Sequence, residues 1–238
     1  MRDTEDGHAA VSLSDVGFSW QGRARFRIEV GTFQIPSRQR LLLVGESGSG
    51  KSTLLSLICG VNVARSGQVM VDGTDLTSLS GRARDQLRAD SIGVIFQQFN
   101  LLPYGSPLDN ILLPLRFSPT RRRKVGDAKA EALRLAGALG LDRDLVVHGS
   151  AAELSVGQQQ RVAVARALIG APALIVADEP TSALDASTQE AFLALMFAQV
   201  EEAGSTLLMV SHDQRLSAQF DRVQHLAEIA QISRGNAA

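Results

Sequence analysis

Leu41-Leu-Leu-Val44-Gly45-Glu46-Ser47-Gly48-Ser49-Gly50-Lys51-Ser52-Thr53-Leu54-Leu55 is the stretch on which the reading of this chain turns. Four apolar residues run into a loop of small residues, and an apolar, helix-like run follows to Gly60. Apolarity without polar alternation suits a strand covered on both faces of a parallel sheet. The spacing Gly45-x-x-x-x-Gly50-Lys51-Ser52, placed between a strand and a helix, is the context a phosphate-binding loop requires. Small residues let backbone N–H groups curl around phosphate oxygens, and the next helix presents its positive end. Lys51 neutralises phosphate charge, and Ser52 offers a hydroxyl to magnesium.

Three further runs, Ile92 to Phe96, Leu174 to Ala177 and Leu207 to Val210, also read as buried strands. They lead into Gln97, Asp178-Glu179 and Ser211-His212, so polar chemistry recurs at strand carboxyl ends, where open α/β sheets bind ligands. Asp178 suits a magnesium anchor acting through water, and Glu179 suits a group that polarises water for attack on a terminal phosphate. The plain alternative is a solvated strand end. Together with the glycine-rich loop, this pair defines a phosphate-loop NTPase and nothing narrower.

Composition bounds the rest. The 238 residues suffice for one large α/β domain, 1–238, with a flexible N-terminus over about 1–10. With 24 Lys and Arg against 25 Asp and Glu, the chain lacks the positive field of a dedicated nucleic-acid binder. Arg166 interrupts the longest apolar candidate, Val162 to Ala177, short of a membrane span. The opening MRDTEDGHAA is no secretory leader, so a cytoplasmic location is expected. The single cysteine, Cys59, lies in an apolar stretch and reads as core packing.

The early segment through Met70-Val-Asp-Gly reads as shorter strands and turns, an antiparallel β subdomain beside the phosphate loop. From about 98 to 160 the pattern changes to an inserted helical lobe. One helix is expected from Asp127 to Leu139, capped by Asp127, striped by Leu133, Ala136 and Leu139, and stopped by Gly140. The basic run Arg121-Arg-Arg-Lys124, between Ser118-Pro-Thr and Gly126, reads as a solvated turn.

Leu154-Ser-Val-Gly-Gln-Gln-Gln-Arg161 narrows the family: it resembles the signature sequence of ATP-binding-cassette (ABC) proteins, with Val156 where the family more usually has glycine. A hydroxyl at Ser155 and open backbone N–H groups at Gly157, at the start of a helix, make an anion site. The order of further matches, Gln97 with the Q-loop, Ser182-Ala-Leu-Asp185 with the D-loop and His212 with the switch histidine, extends the resemblance over nearly the whole chain. Trp20 matches the aromatic that stacks on adenine, with Phe18 as the alternative.

The resemblance implies a phosphate-loop core with a mostly parallel sheet, ATP and Mg²⁺ as ligands, and hydrolysis within a head-to-tail dimer. ATP contacts would come from Trp20, Gly45, Glu46, Ser47, Gly48, Ser49, Gly50, Lys51, Ser52 and Thr53, and from Ser155, Gly157, Gln158 and Asp185. Glu179, His212, Gln97 and Lys51 would be catalytic, and Ser52, Gln97 and Asp178 would serve the metal. A second copy and a separate membrane permease are the implied partners, with the chain peripheral at the cytoplasmic face of the membrane. Phe96-Gln-Gln-Phe-Asn-Leu-Leu-Pro, with the signature, looks most like the branch of macrolide-export, lipoprotein-releasing and cell-division ATPases. The competing reading is an ATPase that moves or regulates a membrane protein without transporting a solute.

Overall fold

Side-chain alternation builds the first part of the chain. Strands β1 (Ala9–Ser19) and β2 (Phe26–Pro36) interleave buried and exposed positions, whereas β3 (Arg40–Val44) is buried from Leu41 onward. Helix α1 (Lys51–Ile58) and strand β4 (Ser66–Val71) follow. Asp72 and Gly73, both at positive φ, then turn the chain into β5 (Thr74–Asp75), as a two-residue hairpin demands. Next come α2 (Gly81–Ser91), β6 (Ile92–Ile95), α3 (Pro107–Leu112), α4 (Pro114–Phe117), α5 (Pro119–Val125), α6 (Ala128–Ala138) and α7 (Arg143–His148). The chain continues through α8 (Val156–Leu168), β7 (Leu174–Asp178), α9 (Ala186–Glu202), β8 (Thr206–Ser211), β9 (Arg222–His225), α10 (Leu226–Ile229) and β10 (Ala230–Arg234). This computed structural model describes residues 9–20, 26–46, 48–182 and 184–234. Ser47 and most of the expected flexible N-terminus lie outside them.

Two compact units divide the chain, Met1–Arg88 with Leu208–Ala238, and Ala89–Leu207. In the first, an antiparallel sheet runs β10-β2-β1-β4-β5, with Leu13 facing Phe33 on one side and Val69 on the other. Also in this unit, β3 lies between β8 and β9 and pairs in parallel with β9, which sets Val44 opposite His225. In the second unit, β6 and β7 pair in parallel, Ile95 opposite Ala177, and α8 packs on β6, α3, α6 and α9. Gly93 makes one of these contacts possible: a Cβ there would stand 2.2 Å from the Ala167 carbonyl oxygen.

The α/β class, with parallel and antiparallel pairing, is as expected, and all four apolar runs form strands, the run Ile92 to Phe96 leaving Phe96 just past the end of β6. Cys59 is buried. Helix α6 is capped by the Asp127 carboxylate, which accepts from the N–H groups of Lys129 and Ala130, and Gly140 follows at φ +73°. Its buried stripe is Ala128, Ala132, Leu135 and Ala136, with Leu139 at the cap, while Leu133 is half-exposed. The early strands are longer than expected, 11 residues each in β1 and β2, because interleaved polar residues conceal a sheet with one wet face.

The basic run is a correction. Ser118 caps α5 by accepting from the Arg121 N–H, and Pro119 opens the helix. Arg121 is 2% exposed rather than solvated. Its Nε donates to the Ile169 carbonyl at 2.8 Å, and Nη2 donates to Ala167 at 2.7 Å and to Ile169. Those carbonyls end α8, where a helix leaves acceptors without partners. Burial pushes the guanidinium pKa down to about 10, opposed by the Asp90 charge. The run reads as exposed in the sequence because its buried member serves acceptors 46 and 48 residues away.

Candidate functional site

The phosphate loop lies in the first unit and is organised by its own backbone. Gly48 and Gly50 adopt φ +72° and +102°, conformations open to glycine, and Gly50 starts α1 with no side-chain cap. The first N–H groups of α1 therefore end at the loop without a capping side chain among the described residues, as an anion site needs. Lys51 is buried, and its Nζ donates to the carbonyls of Gly45 at 2.6 Å and Glu46 at 2.8 Å. The ammonium is thus held against the loop it serves. Ser52 is exposed on the first turn of α1, and Thr53 is half-buried beside it.

Trp20 reaches this region. Its indole Nε1 donates to Thr53 Oγ1 at 3.3 Å, and its ring packs edge-on to Phe18 at 5.1 Å. The indole is 47% exposed while Phe18 is buried, so Trp20 offers the accessible aromatic surface. His212 lines a cleft of about 630 Å³ with Gly45, Glu46 and Ser49, so the fold brings the histidine after β8 to the phosphate loop. Beside it, hydrogen bonds and charge from Arg215 hold the Asp213 carboxyl below its ordinary range. Arg234, on β10, donates to the Gly48 carbonyl. Nothing in the sequence near Arg234 signals that contact, which depends on β10 pairing with β2.

The remaining sequence-derived residues lie in the second unit. Asp178 ends β7, and Glu179 follows at φ +48°, a left-handed conformation costing a non-glycine residue about 1–3 kcal/mol. Gln97 stands two residues beyond Ile95, whose partner Ala177 directly precedes Asp178, so the β6–β7 register brings Gln97 and the acidic pair to one end of this strand pair. Asp185 caps α9, accepting from Thr188 N at 3.0 Å and Thr188 Oγ1 at 2.9 Å.

Ser155 caps α8 in a reciprocal box: its Oγ accepts from Gln158 N at 3.3 Å, and Gln158 Oε1 accepts from Ser155 N at 2.9 Å. A serine hydroxyl that accepts still has its proton to donate. Val156 takes the first helical position with ordinary backbone and an exposed side chain, so valine is accommodated there. Gly157 has no positive φ, and a Cβ on it would meet nothing within 4 Å. The fold itself therefore makes no use of glycine at position 157. Buried Gln160, farther along α8, donates to the Pro180 carbonyl next to Glu179.

Ser52, Gln97 and Asp178 each carry a hard oxygen donor, respectively a hydroxyl, an amide oxygen and a carboxylate, of the kind Mg²⁺ accepts. Among the described residues no group of three or more His, Cys, Asp or Glu forms a metal cage.

A strand-loop-helix phosphate loop with an acidic strand end defines a phosphate-loop NTPase. Comparison with known proteins gives the family: residues 29–182 match the ABC transporter family. The lipoprotein-releasing system ATP-binding protein LolD of Syntrophotalea carbinolica is 40% identical over 93% of this chain and 96% of its own length. YbbA of Escherichia coli K12, an uncharacterised ABC transporter ATP-binding protein, is 40% identical over 87% of this chain and 89% of its own. A dimeric structure of the bacterial ABC transporter cassette MJ0796 superposes with a TM-score of 0.77 at 32% identity, covering 95% of this chain and all of the other. The same cassette in a post-hydrolysis dimer bound to ADP and Pi gives 0.75 at 33% identity over 96% of this chain. The chain belongs to the ABC transporter family, as an ATP-binding and ATP-hydrolysing subunit, and its relatives include ATP-binding proteins of the lipoprotein-releasing system.

Proposed function

We propose that two copies of this chain close head to tail around ATP and so drive a separate membrane permease from the cytoplasmic face. In this reading the 1–238 chain is one ABC ATPase domain. Residues Gly45 to Thr53 wrap the phosphates, Lys51 neutralises their charge, and Trp20 stacks on adenine. Ser155, Gly157 and Gln158 of the second copy complete the grip on the terminal phosphate, with Asp185 at the interface. Glu179 takes up a proton from the attacking water, His212 steadies the terminal phosphate, and Gln97 aligns the water while reporting on the permease. Mg²⁺, held by Ser52, Gln97 and Asp178, would neutralise charge on the phosphates.

The observation that carries this reading is Gly157. A helical glycine with open space around it costs about 0.5–1 kcal/mol relative to alanine and gives the fold nothing back. Close approach of a phosphate from outside the chain is a use for it. The names of the relatives support a permease of the lipoprotein-releasing kind and favour transport over regulation without a solute. Among the described residues no helix is long and apolar enough to cross a membrane.

Glu179→Gln tests the reading. It should keep ATP affinity, lose hydrolysis by at least about a hundredfold, and accumulate as an ATP-dependent dimer in light scattering. Hydrolysis near the wild-type rate removes Glu179 from its role, and a monomer at saturating ATP removes the sandwich.

A further inference from the structure

Gln97 leaves β6 through a turn whose far leg is strained. Phe99 and Asn100 are consecutive residues at φ +57° and +48°, a conformation L-residues seldom adopt in succession. The turn is tight: Phe99 N donates to Phe96 O at 3.0 Å, and Asn100 N donates to Gln98 O at 2.6 Å. The Phe99 side chain is buried, while Gln97, Gln98 and Asn100 are exposed.

Arg166, nine-tenths buried in α8, meets this leg. Its Nη1 donates to the Asn100 carbonyl at 2.7 Å, and its Nη2 donates to the Phe99 carbonyl. A planar guanidinium fork suits two adjacent acceptors in a way a lysine ammonium does not. Burial lowers the Arg166 pKa, and the guanidinium remains the group that supplies donors to these two carbonyls. The same helix donates through Gln160 to the Pro180 carbonyl, beside Glu179. The turn after Gln97 and the segment after Glu179 are therefore both bonded to the helix whose first turn carries Ser155 and Gly157.

We infer that Arg166 is a positioning residue for hydrolysis: it locks the turn at 97–100 to α8, so that the placement of Gln97 follows the placement of the signature helix. The inference rests on the reading of Gln97 as the residue that aligns the attacking water. Its consequence is a split between binding and turnover, because nucleotide affinity is assigned to the phosphate loop and Trp20 in the other unit.

The experiment compares Arg166→Lys with Arg121→Lys, which weakens a guanidinium clamp at the C-terminal end of the same helix, on the Ala167 and Ile169 carbonyls. Steady-state ATPase kinetics, ATP affinity and thermal melting are measured for both, with Glu179→Gln as reference. Arg166→Lys is expected to lower kcat about tenfold, the effect of losing one charge-assisted hydrogen bond, with KM and ATP affinity within about twofold of wild type. Arg121→Lys is expected to lower the melting temperature and leave kcat within about twofold. Wild-type kcat in Arg166→Lys, or equal kcat losses in both variants, overturns the Arg166 assignment while a dead Glu179→Gln leaves the site reading standing. An active Glu179→Gln overturns the site reading and the role of Arg166 with it. If Arg121→Lys does not fold, Arg166→Lys against wild type still decides, because a parallel rise in KM marks general damage and overturns the inference.

Discussion

The phosphate loop and the signature helix are held in place by different means. The loop is a local object: two glycines at positive φ shape it, and Lys51 is fastened to the carbonyls of Gly45 and Glu46, six and five residues before it. The signature helix has a local cap at Ser155 and Gln158, but its body is fixed by side chains that bridge distant stretches. Arg121 reaches its last carbonyls from α5, Arg166 reaches out to residues 99 and 100, and Gln160 reaches Pro180. Binding a phosphate thus needs a short stretch of chain, whereas presenting a helix end to another molecule needs a braced lobe.

Substitutions separate the two. Lys51→Ala should weaken ATP binding by on the order of a hundredfold or more, through loss of a charge-assisted contact to phosphate. Isothermal titration reads it, and an unchanged melting temperature would confirm that the loss is local. Arg121→Met should act the opposite way, lowering stability by about 2–4 kcal/mol because the buried carbonyls of Ala167 and Ile169 lose their donor and Asp90 loses a nearby positive charge. Denaturant unfolding reads that change, and a variant as stable as wild type would show that the brace contributes nothing.

Smaller effects sharpen the contrast. Trp20→Ala should cost about tenfold in ATP affinity, the scale of one base stacked on an aromatic ring. If GTP and ATP then bind the variant as differently as they bind wild type, the indole is not the adenine platform. Gly157→Ala should raise stability by about 0.5–1 kcal/mol while reducing the ATP-dependent dimer of Glu179→Gln. A dimer of undiminished affinity in that double variant would take phosphate approach away from Gly157.

What could be read in advance follows the same line. The loop, the four strands and the cap and stop of α6 were legible because each is written in adjacent residues: an apolar run, a glycine spacing, Asp127 before a helix and Gly140 after it. The braces were not. Arg166 read only as an interruption in an apolar stretch, and Arg121 as one of four basic residues in a turn, because a buried guanidinium and an exposed one look alike until its acceptors are known. The long β1 and β2 were concealed by polar residues on their exposed face, where alternation with one wet side resembles a loop-rich segment.

Trp20 carries a practical consequence. It is the single tryptophan of the 238 residues, it is half-exposed, and its indole donates to a residue of the helix that follows the phosphate loop. The chain therefore holds a single indole fluorophore, without a label, at the place assigned to the base. Its emission under selective excitation gives a stopped-flow signal for nucleotide arrival, and quenching that tracks ATP and not inorganic phosphate would separate docking of the base from filling of the phosphate loop.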